Sequence, residues 1–138
     1  MIVPQEIYHP LYTDTEKFII LITGGRGSGK SFNASTFIER LTFEMTPVEK
    51  IVHQILYTRY TMVSAGMSII PEMMEKIDLD GTTKYFKTTK TDIVNKMTKS
   101  RIMFRGIKTS SGNQTAKLKS IQGITTFVCD EAEEWTSE

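Results

Sequence analysis

Eight residues near the amino terminus have the types and spacing that phosphate chemistry requires. They form the G-x-x-x-x-G-K-S pattern of a P-loop: Gly24, Gly25, Arg26, Gly27, Ser28, Gly29, Lys30 and Ser31. Glycines let the backbone curl so that successive N–H groups converge on a phosphate. Lys30 supplies an ammonium for the outer phosphates, and the Ser31 hydroxyl is a ligand for Mg²⁺. The pattern predicts binding of a nucleoside triphosphate, and a glycine-rich turn that matches by coincidence is the alternative.

The segments on either side of the glycines agree with this interpretation. Before them, residues 17–23 form a short apolar, β-branched run that predicts a buried parallel strand. After them, residues 31–45 carry apolar side chains at helical spacing as far as Met45, and Pro47 then ends the predicted helix. The positive end of this helix is expected to point at the bound phosphates.

A second half of such a site requires an acidic residue at the end of another buried strand. Residues 124–129 predict that strand, the Walker B strand, and Asp130 and Glu131 follow it directly. We expect Asp130 to hold Mg²⁺ and Glu131 to orient or deprotonate the attacking water. The alternative is a strand that ends in a solvated acidic turn. Cys129 lies in this run, which favours a packing role over reactivity.

Composition sets the outer bounds. The chain has 138 residues, 39% of them hydrophobic, which suits one domain with a real core. The formal net charge is +1, so bulk charge predicts no particular partner. A single cysteine excludes an internal disulfide, and no apolar run approaches the length of a membrane span. These features favour a cytosolic protein.

Charge is nevertheless unevenly distributed. Between positions 84 and 119 Asp92 is the one acidic residue, against a series of basic ones: Lys84, Lys87, Lys90, Lys96, Lys99, Arg101, Arg105, Lys108, Lys117 and Lys119. Such a stretch suits a nucleic acid backbone or the nucleotide of a neighbouring subunit. An ordinary solvated face explains it equally well.

Other elements can be predicted only coarsely. Residues 51–57 predict a strand, with Arg59 just beyond its end, and residues 61–77 predict partial helix with Pro71 near the start of a second piece. Residues 85–89, 93–97 and 101–105 predict short strands, the last two joined by a turn at residues 99–100.

Taken in order, these residues resemble the large terminase subunit of tailed phages. Beyond the P-loop and Arg59, the resemblance rests on Phe104-Arg105-Gly106, on Lys119-Ser120-Ile121-Gln122-Gly123-Ile124, and on Asp130-Glu131-Ala132 with Glu134-Trp135. The P-loop alone is shared by many ATPases, whereas the combination is much more specific. The resemblance covers nearly the whole chain.

The resemblance implies a P-loop NTPase fold of the ASCE type, with a mainly parallel sheet flanked by helices. It implies an ATPase that uses Mg²⁺ and drives double-stranded DNA into a capsid in the host cytoplasm. Such proteins assemble as a ring on a portal and work with a small terminase subunit. It also assigns Arg26 to the outer phosphate, with an exposed loop side chain as the alternative. An arginine finger from a neighbouring subunit is expected, and Arg101, Arg105 and Lys119 are candidates for that role.

Two expectations concern the extent of the chain. Residues 1–138 correspond to the amino-terminal portion of the ATPase domain, which looks truncated after the Walker B strand, and the nuclease domain is absent. The isolated chain is therefore expected to hydrolyse ATP weakly or not at all. A non-catalytic module that binds nucleotide or a partner, or another ring-forming P-loop ATPase, is the alternative. Tyr8 and Tyr12 are candidates for stacking on the base, or are core residues.

Overall fold

The computed structural model describes residues 2–13, 19–22, 29–46, 50–61, 69–108 and 123–130. For residues 13, 31, 59–61, 107 and 108 the description covers the backbone alone. The elements in chain order are a 3₁₀ turn (Glu6–Tyr8), α1 (His9–Thr13), α2 (Lys30–Leu41), β1 (Gln54–Thr61), α3 (Ile70–Leu79), a second 3₁₀ turn (Thr83–Tyr85), β2 (Phe86–Thr88), β3 (Asp92–Asn95), β4 (Arg101–Lys108) and β5 (Thr126–Cys129).

The five described strands form one mixed sheet in the order β2-β3-β4-β1-β5. Strand β1 is parallel to both β4 and β5, whereas β2 with β3 and β3 with β4 are antiparallel. The sequence predicted a mainly parallel sheet, and the difference arises at the tight connections. At the turn after β3, Lys99 adopts a φ of 69° and the Asn95 N–H donates to the Ser100 carbonyl at 2.8 Å. A connection this short can join only antiparallel neighbours.

Strand β1 begins and ends later than the sequence predicted. It runs from Gln54 to Thr61, and its register pairs Arg59 with Gly106 of β4. Arg59 therefore lies within the strand instead of just beyond it. The strand continues because β4 runs beside it as far as the pair of Thr61 with Lys108, so its backbone groups keep their partners.

One core joins helices α2 and α3 to a single face of the sheet. Paired positions of β1 and β4, such as Ile55 with Ile102, share a face, and the alternate residues along each strand return to it. The buried cluster comprises Ile38 of α2, Ile69, Met73 and Ile77 at or beside α3, and Ile55, Tyr57, Phe86, Ile93, Ile102 and Phe104 of the strands. Each large apolar side chain so buried contributes about 1.5–3 kcal/mol relative to exposure.

The apolar run before the glycine loop does not form the predicted buried strand in its described part. Residues 19–22 belong to no helix or strand, and Ile19 and Leu21 are 80% and 83% exposed. Hydrophobicity favours burial, but a strand also needs a neighbour for its backbone hydrogen bonds. Among the described residues, β5 ends the sheet on that side and no strand pairs with residues 19–22. The remaining residues of the run, 17, 18 and 23, lie outside the described ranges.

Helix α2 is shorter than predicted. Of the partly helical stretch predicted at residues 61–77, Thr61 belongs to β1, residues 62–68 lie outside the described ranges, and residues 70–77 lie in α3 as predicted. Helix α2 ends at Leu41, where the Thr42 hydroxyl donates to the Glu39 carbonyl at 2.6 Å, and Met45 instead forms an isolated bridge with Val52. Helix α3 carries Pro71 in its first turn, where a missing N–H costs nothing.

A glycine turn ends α3 and fixes the direction of the chain that follows. Gly81 has a φ of 79°, and the Thr82 N–H donates to the Ile77 carbonyl at 3.2 Å. With the Gly81 N–H bonded to the Asp78 carbonyl at 3.0 Å, this is a Schellman motif. The turn brings Asp80 and Thr82 against α2.

Candidate functional site

The end of the glycine pattern coincides with the start of α2. Gly29 has a φ of 83°, in the left-handed region, and Lys30 is the first helical residue, with Ser31 second. No side chain caps this end, so the first backbone N–H groups of the helix are not used by a capping side chain. Those groups and the positive end of the helix dipole suit an anion.

Close packing against the amino-terminal segment explains why a glycine stands at position 29. A Cβ there would lie 3.2 Å from the Gln5 Oε1 and 3.4 Å from the Asn33 Nδ2. Asn33 is buried, and its Nδ2 donates to the Gly29 carbonyl at 3.0 Å. The Tyr12 hydroxyl in turn donates to the Asn33 carbonyl at 3.1 Å. Side chains of residues 5–12 therefore fix the position of the first turn of α2.

An open cavity of about 560 Å³ lies at this junction. It is lined by Ile2, Val3, Pro4, Gln5, Gly29, Phe32, Asn33 and Leu79. The size falls in the usual range for a small-molecule pocket, and the lining combines apolar side chains with two amides. The cavity therefore adjoins the last glycine of the motif.

A polar cluster secures the far end of the amino-terminal segment. The Arg40 guanidinium meets the Asp80 carboxylate through two hydrogen bonds, of 3.2 Å from Nε and 3.0 Å from Nη2. The same two side chains bind the backbone of Ile2: Asp80 Oδ1 accepts its N–H at 2.8 Å, and Arg40 Nη2 donates to its carbonyl at 2.5 Å. The guanidinium also lies over the Tyr12 ring, 5.5 Å from its centroid.

Glu39 completes this cluster from inside the protein. It is 1% exposed, and its Oε1 accepts a 2.5 Å hydrogen bond from the Thr82 hydroxyl. Burial, together with the neighbouring Asp80 carboxylate, raises the pKa of Glu39 to about 7. Burial acts the same way on Asp80, but the hydrogen bonds from Arg40 and Ile2 prevail and lower the pKa of Asp80 to about 2. The charge of the pair therefore resides on Asp80.

A strand, β5, forms within the run predicted as the Walker B strand, and it lies parallel to β1. Its Val128 carbonyl accepts the buried Thr58 hydroxyl at 2.7 Å, and the Asp130 N–H donates to the Thr58 carbonyl at 2.9 Å. Asp130 therefore stands at the carboxyl end of β5, where ligands bind in open α/β sheets. The strand is less buried than predicted: Cys129 is exposed, so its predicted packing role is wrong, and Phe127 is 52% exposed. The physical reason is the position of β5 at the edge of the described sheet.

The remaining predicted site residues have different outcomes. Gly24, Gly25, Arg26, Gly27 and Ser28 lie outside the described residues, as does Glu131. Gly29 and Lys30 stand together at the start of α2, half-buried, while only the backbone of Ser31 is described. Asp130 is held by β1 at the other described end of the candidate site. Their predicted roles stay predictions.

Asp92 forms an ion pair with each of the two described candidates for the arginine finger. Its buried carboxylate accepts from Arg101 Nη1 at 3.0 Å and from Arg105 Nη1 at 2.9 Å. Arg105 also donates to the Phe104 carbonyl, and its side chain is only 18% exposed, against 49% for Arg101. Of these two, Arg101 is therefore better placed to reach a neighbour. Lys119 lies outside the described residues.

Two side-chain clusters could not be predicted from local spacing in the sequence: Arg40 with Glu39 and Asp80, and Asp92 with its arginines. Arg40 and Asp80 are 40 positions apart, so no local spacing connects them. Asp92, as the one acidic residue in a basic stretch, was the available signal for the second cluster.

Metal and membrane features are limited in the part of the chain that the structure describes. Within those ranges, no group of three or more His, Cys, Asp or Glu side chains is arranged to hold a metal ion. The predicted Mg²⁺ site needs no such group, because it would combine one hydroxyl, phosphate oxygens and water around Ser31 and Asp130. No described helix is long and apolar enough to cross a bilayer.

The fold and the candidate site together define a structural class of protein. The described chain is an α/β protein in which a glycine-led helix terminus faces a cavity and an aspartate ends a parallel strand. Residues 16–138 match the family described as phage terminase large subunit, and the chain belongs to that family. A comparison with curated proteins finds no match.

Proposed function

We propose that this chain is the ATP-binding and ATP-hydrolysing part of a viral motor that packages double-stranded DNA, acting in the host cytoplasm. The observation that carries the proposal is the left-handed Gly29, which closes a G-x-x-x-x-G-K-S pattern directly at the start of α2. Membership of the terminase large subunit family supports the packaging role. A P-loop NTPase fold follows from the same proposal.

Each site residue has a distinct role in this proposal. Lys30 neutralises the outer phosphates, with the backbone N–H groups of the glycine loop around them. The Ser31 hydroxyl and, through water, Asp130 would hold Mg²⁺, which would neutralise charge at the phosphates. Glu131 orients or deprotonates the attacking water, and the permanently charged Arg26 stabilises charge that develops on the transferred phosphoryl group.

The cavity beside Gly29 is the natural place for the nucleoside. It adjoins the phosphate end of the motif, and the exposed Gln5 offers an amide to a polar heterocycle. Tyr12 is not the stacking residue, because its ring packs edge-on against Phe37 with centroids 6.0 Å apart and its hydroxyl is bonded to Asn33. Of the two tyrosine candidates, Tyr8 remains: one of its ring carbons would lie 3.6 Å from a Cβ at Gly29.

Titration calorimetry with Mg·ATP tests the binding step. Lys30→Ala should abolish measurable binding, because the phosphates lose their ammonium partner. Lys87→Ala is the matched control: Lys87 is exposed on β2, at the opposite edge of the sheet. Equal affinity of both variants and the unaltered chain would refute the proposed site.

Turnover separates the proposal from its alternative. A coupled ATPase assay on the chain assembled with its portal and small subunit should show hydrolysis that duplex DNA stimulates. We expect an arginine of the neighbouring subunit to complete each site in the ring. Arg101 is a better candidate than Arg105 because its side chain is more exposed. Binding without turnover in that assembly would instead indicate a nucleotide-binding or partner-binding module.

A further inference from the structure

We propose that Glu39, Asp80 and Arg40 form a proton-dependent latch that holds residues 2–12 against the start of α2. The latch is closed when the two carboxyl groups share one proton and one negative charge. Release of that proton weakens the hold on the segment that forms one wall of the cavity beside Gly29.

The contacts run without a break from the cluster to the cavity. Asp80 and Arg40 bind both backbone polar groups of Ile2, at 2.8 and 2.5 Å. Four consecutive residues from Ile2 to Gln5 then line the cavity. At its other end the segment is secured by the Tyr12 hydroxyl on Asn33, which itself holds the Gly29 carbonyl. Opening the latch therefore frees the wall opposite Gly29 and Phe32.

The proton that the two carboxyl groups share resides on Oε2 of Glu39. Glu39 Oε2 is buried and accepts no hydrogen bond, which is costly for a carboxylate but ordinary for a carboxylic acid. A protonated Glu39 can donate to the Asp80 carboxylate, while its Oε1 keeps the hydroxyl of Thr82. Asp80 stays ionised because Arg40 and the Ile2 N–H both donate to it.

Among the described residues whose charges act on Glu39, Arg40 is the one cation. Arg40 comes from its own helix, Asp80 from the end of α3 and Tyr12 from α1. Burial raises the pKa of Tyr12 to about 12, so the phenol stays neutral near neutral pH. Once Glu39 ionises, two carboxylates face one guanidinium in a buried cluster, and separation of the segment restores water to them.

The sign of the pH dependence follows from this linkage. Glu39 has a pKa of about 7 in the closed latch and about 4.5 when solvated. Between pH 4.5 and pH 7, opening of the latch therefore releases a proton. The equilibrium constant for opening should rise by up to about tenfold per pH unit in this range and level off above pH 7. From pH 5 to pH 7 the segment should lose roughly fortyfold in protection.

Hydrogen exchange of the full chain without any ligand tests the latch. Peptides covering residues 2–12 are followed from pH 5 to pH 8, with rates corrected for intrinsic exchange, and peptides of β1 and β4 report global opening. Glu39→Gln keeps the hydrogen bond to Thr82 and supplies a permanent donor to Asp80, so its profile should be flat. Glu75→Gln is the matched control, an exposed glutamate on α3 that should behave like the unaltered chain.

The exchange profiles of the unaltered chain and of Glu39→Gln decide whether the latch exists. The latch is supported if protection at residues 2–12 falls as the pH rises, and falls more steeply than in the β1 and β4 peptides. The same profile must be lost in Glu39→Gln. A flat profile in the unaltered chain, an unchanged profile in Glu39→Gln, or parallel loss in the core peptides would overturn it. Because no nucleotide is used, failure of the proposed ATP site would not affect this result.

Discussion

Replacement of Gly29 by alanine isolates the packing at the start of α2. The left-handed φ of 83° costs alanine about 1–2 kcal/mol relative to glycine. The new Cβ would also lie 3.2 Å from the Oε1 of Gln5, whose exposed side chain can move away. It would touch the Nδ2 of Asn33 at 3.4 Å, and Asn33 is buried and bonded, so it cannot withdraw freely. Weakening its bond to the Gly29 carbonyl adds about 0.5–1.5 kcal/mol. We expect a total loss of about 1.5–3.5 kcal/mol in the free energy of unfolding.

Gly81 supplies a control with the same strain and no crowding. Its φ is 79°, and a Cβ there would meet nothing within 4 Å. Gly81→Ala should therefore cost only the backbone part, about 1–2 kcal/mol. Urea denaturation followed by circular dichroism, with unchanged slopes, measures both losses. A loss for Gly29→Ala no larger than for Gly81→Ala would refute the packing argument, and Mg·ATP affinity should fall only for Gly29→Ala.

Three further predictions use other parts of the molecule. Asp92→Ala should destabilise by about 2–4 kcal/mol because it leaves two arginines without their carboxylate, whereas Asp78→Ala at an exposed position should change little in the same denaturation assay. The Glu39 proton should contribute a fall in stability of up to about 3 kcal/mol from pH 4.5 to pH 7, because the folded chain retains the proton that the unfolded chain has lost, and Glu39→Gln should remove this contribution. In the assembled motor, Glu131→Gln should retain ATP but lose turnover by a factor of about 10² or more, and near-normal hydrolysis would contradict its role as the base.

The sequence by itself determined the elements whose signals are local. The helix after the glycine loop, the turn at residues 99–100 and the strand before Asp130 all follow from spacing, glycine or proline within a few residues. The P-loop pattern was recognisable for the same reason, since one short loop and one helix end contain most of its phosphate-binding groups.

The tertiary structure decided everything that depends on a distant partner. Residues 19–22 are as apolar as a buried strand, yet residues 19–21 are exposed, because a strand forms only where another strand accepts its hydrogen bonds. The mixed sheet reflects which strands are joined by tight turns. The latch joins residues 2, 39, 40 and 80, whose association depends on the packing of α2 beside α3. The ionisation of Glu39 is likewise a property of its burial, which no residue spacing in the sequence reveals.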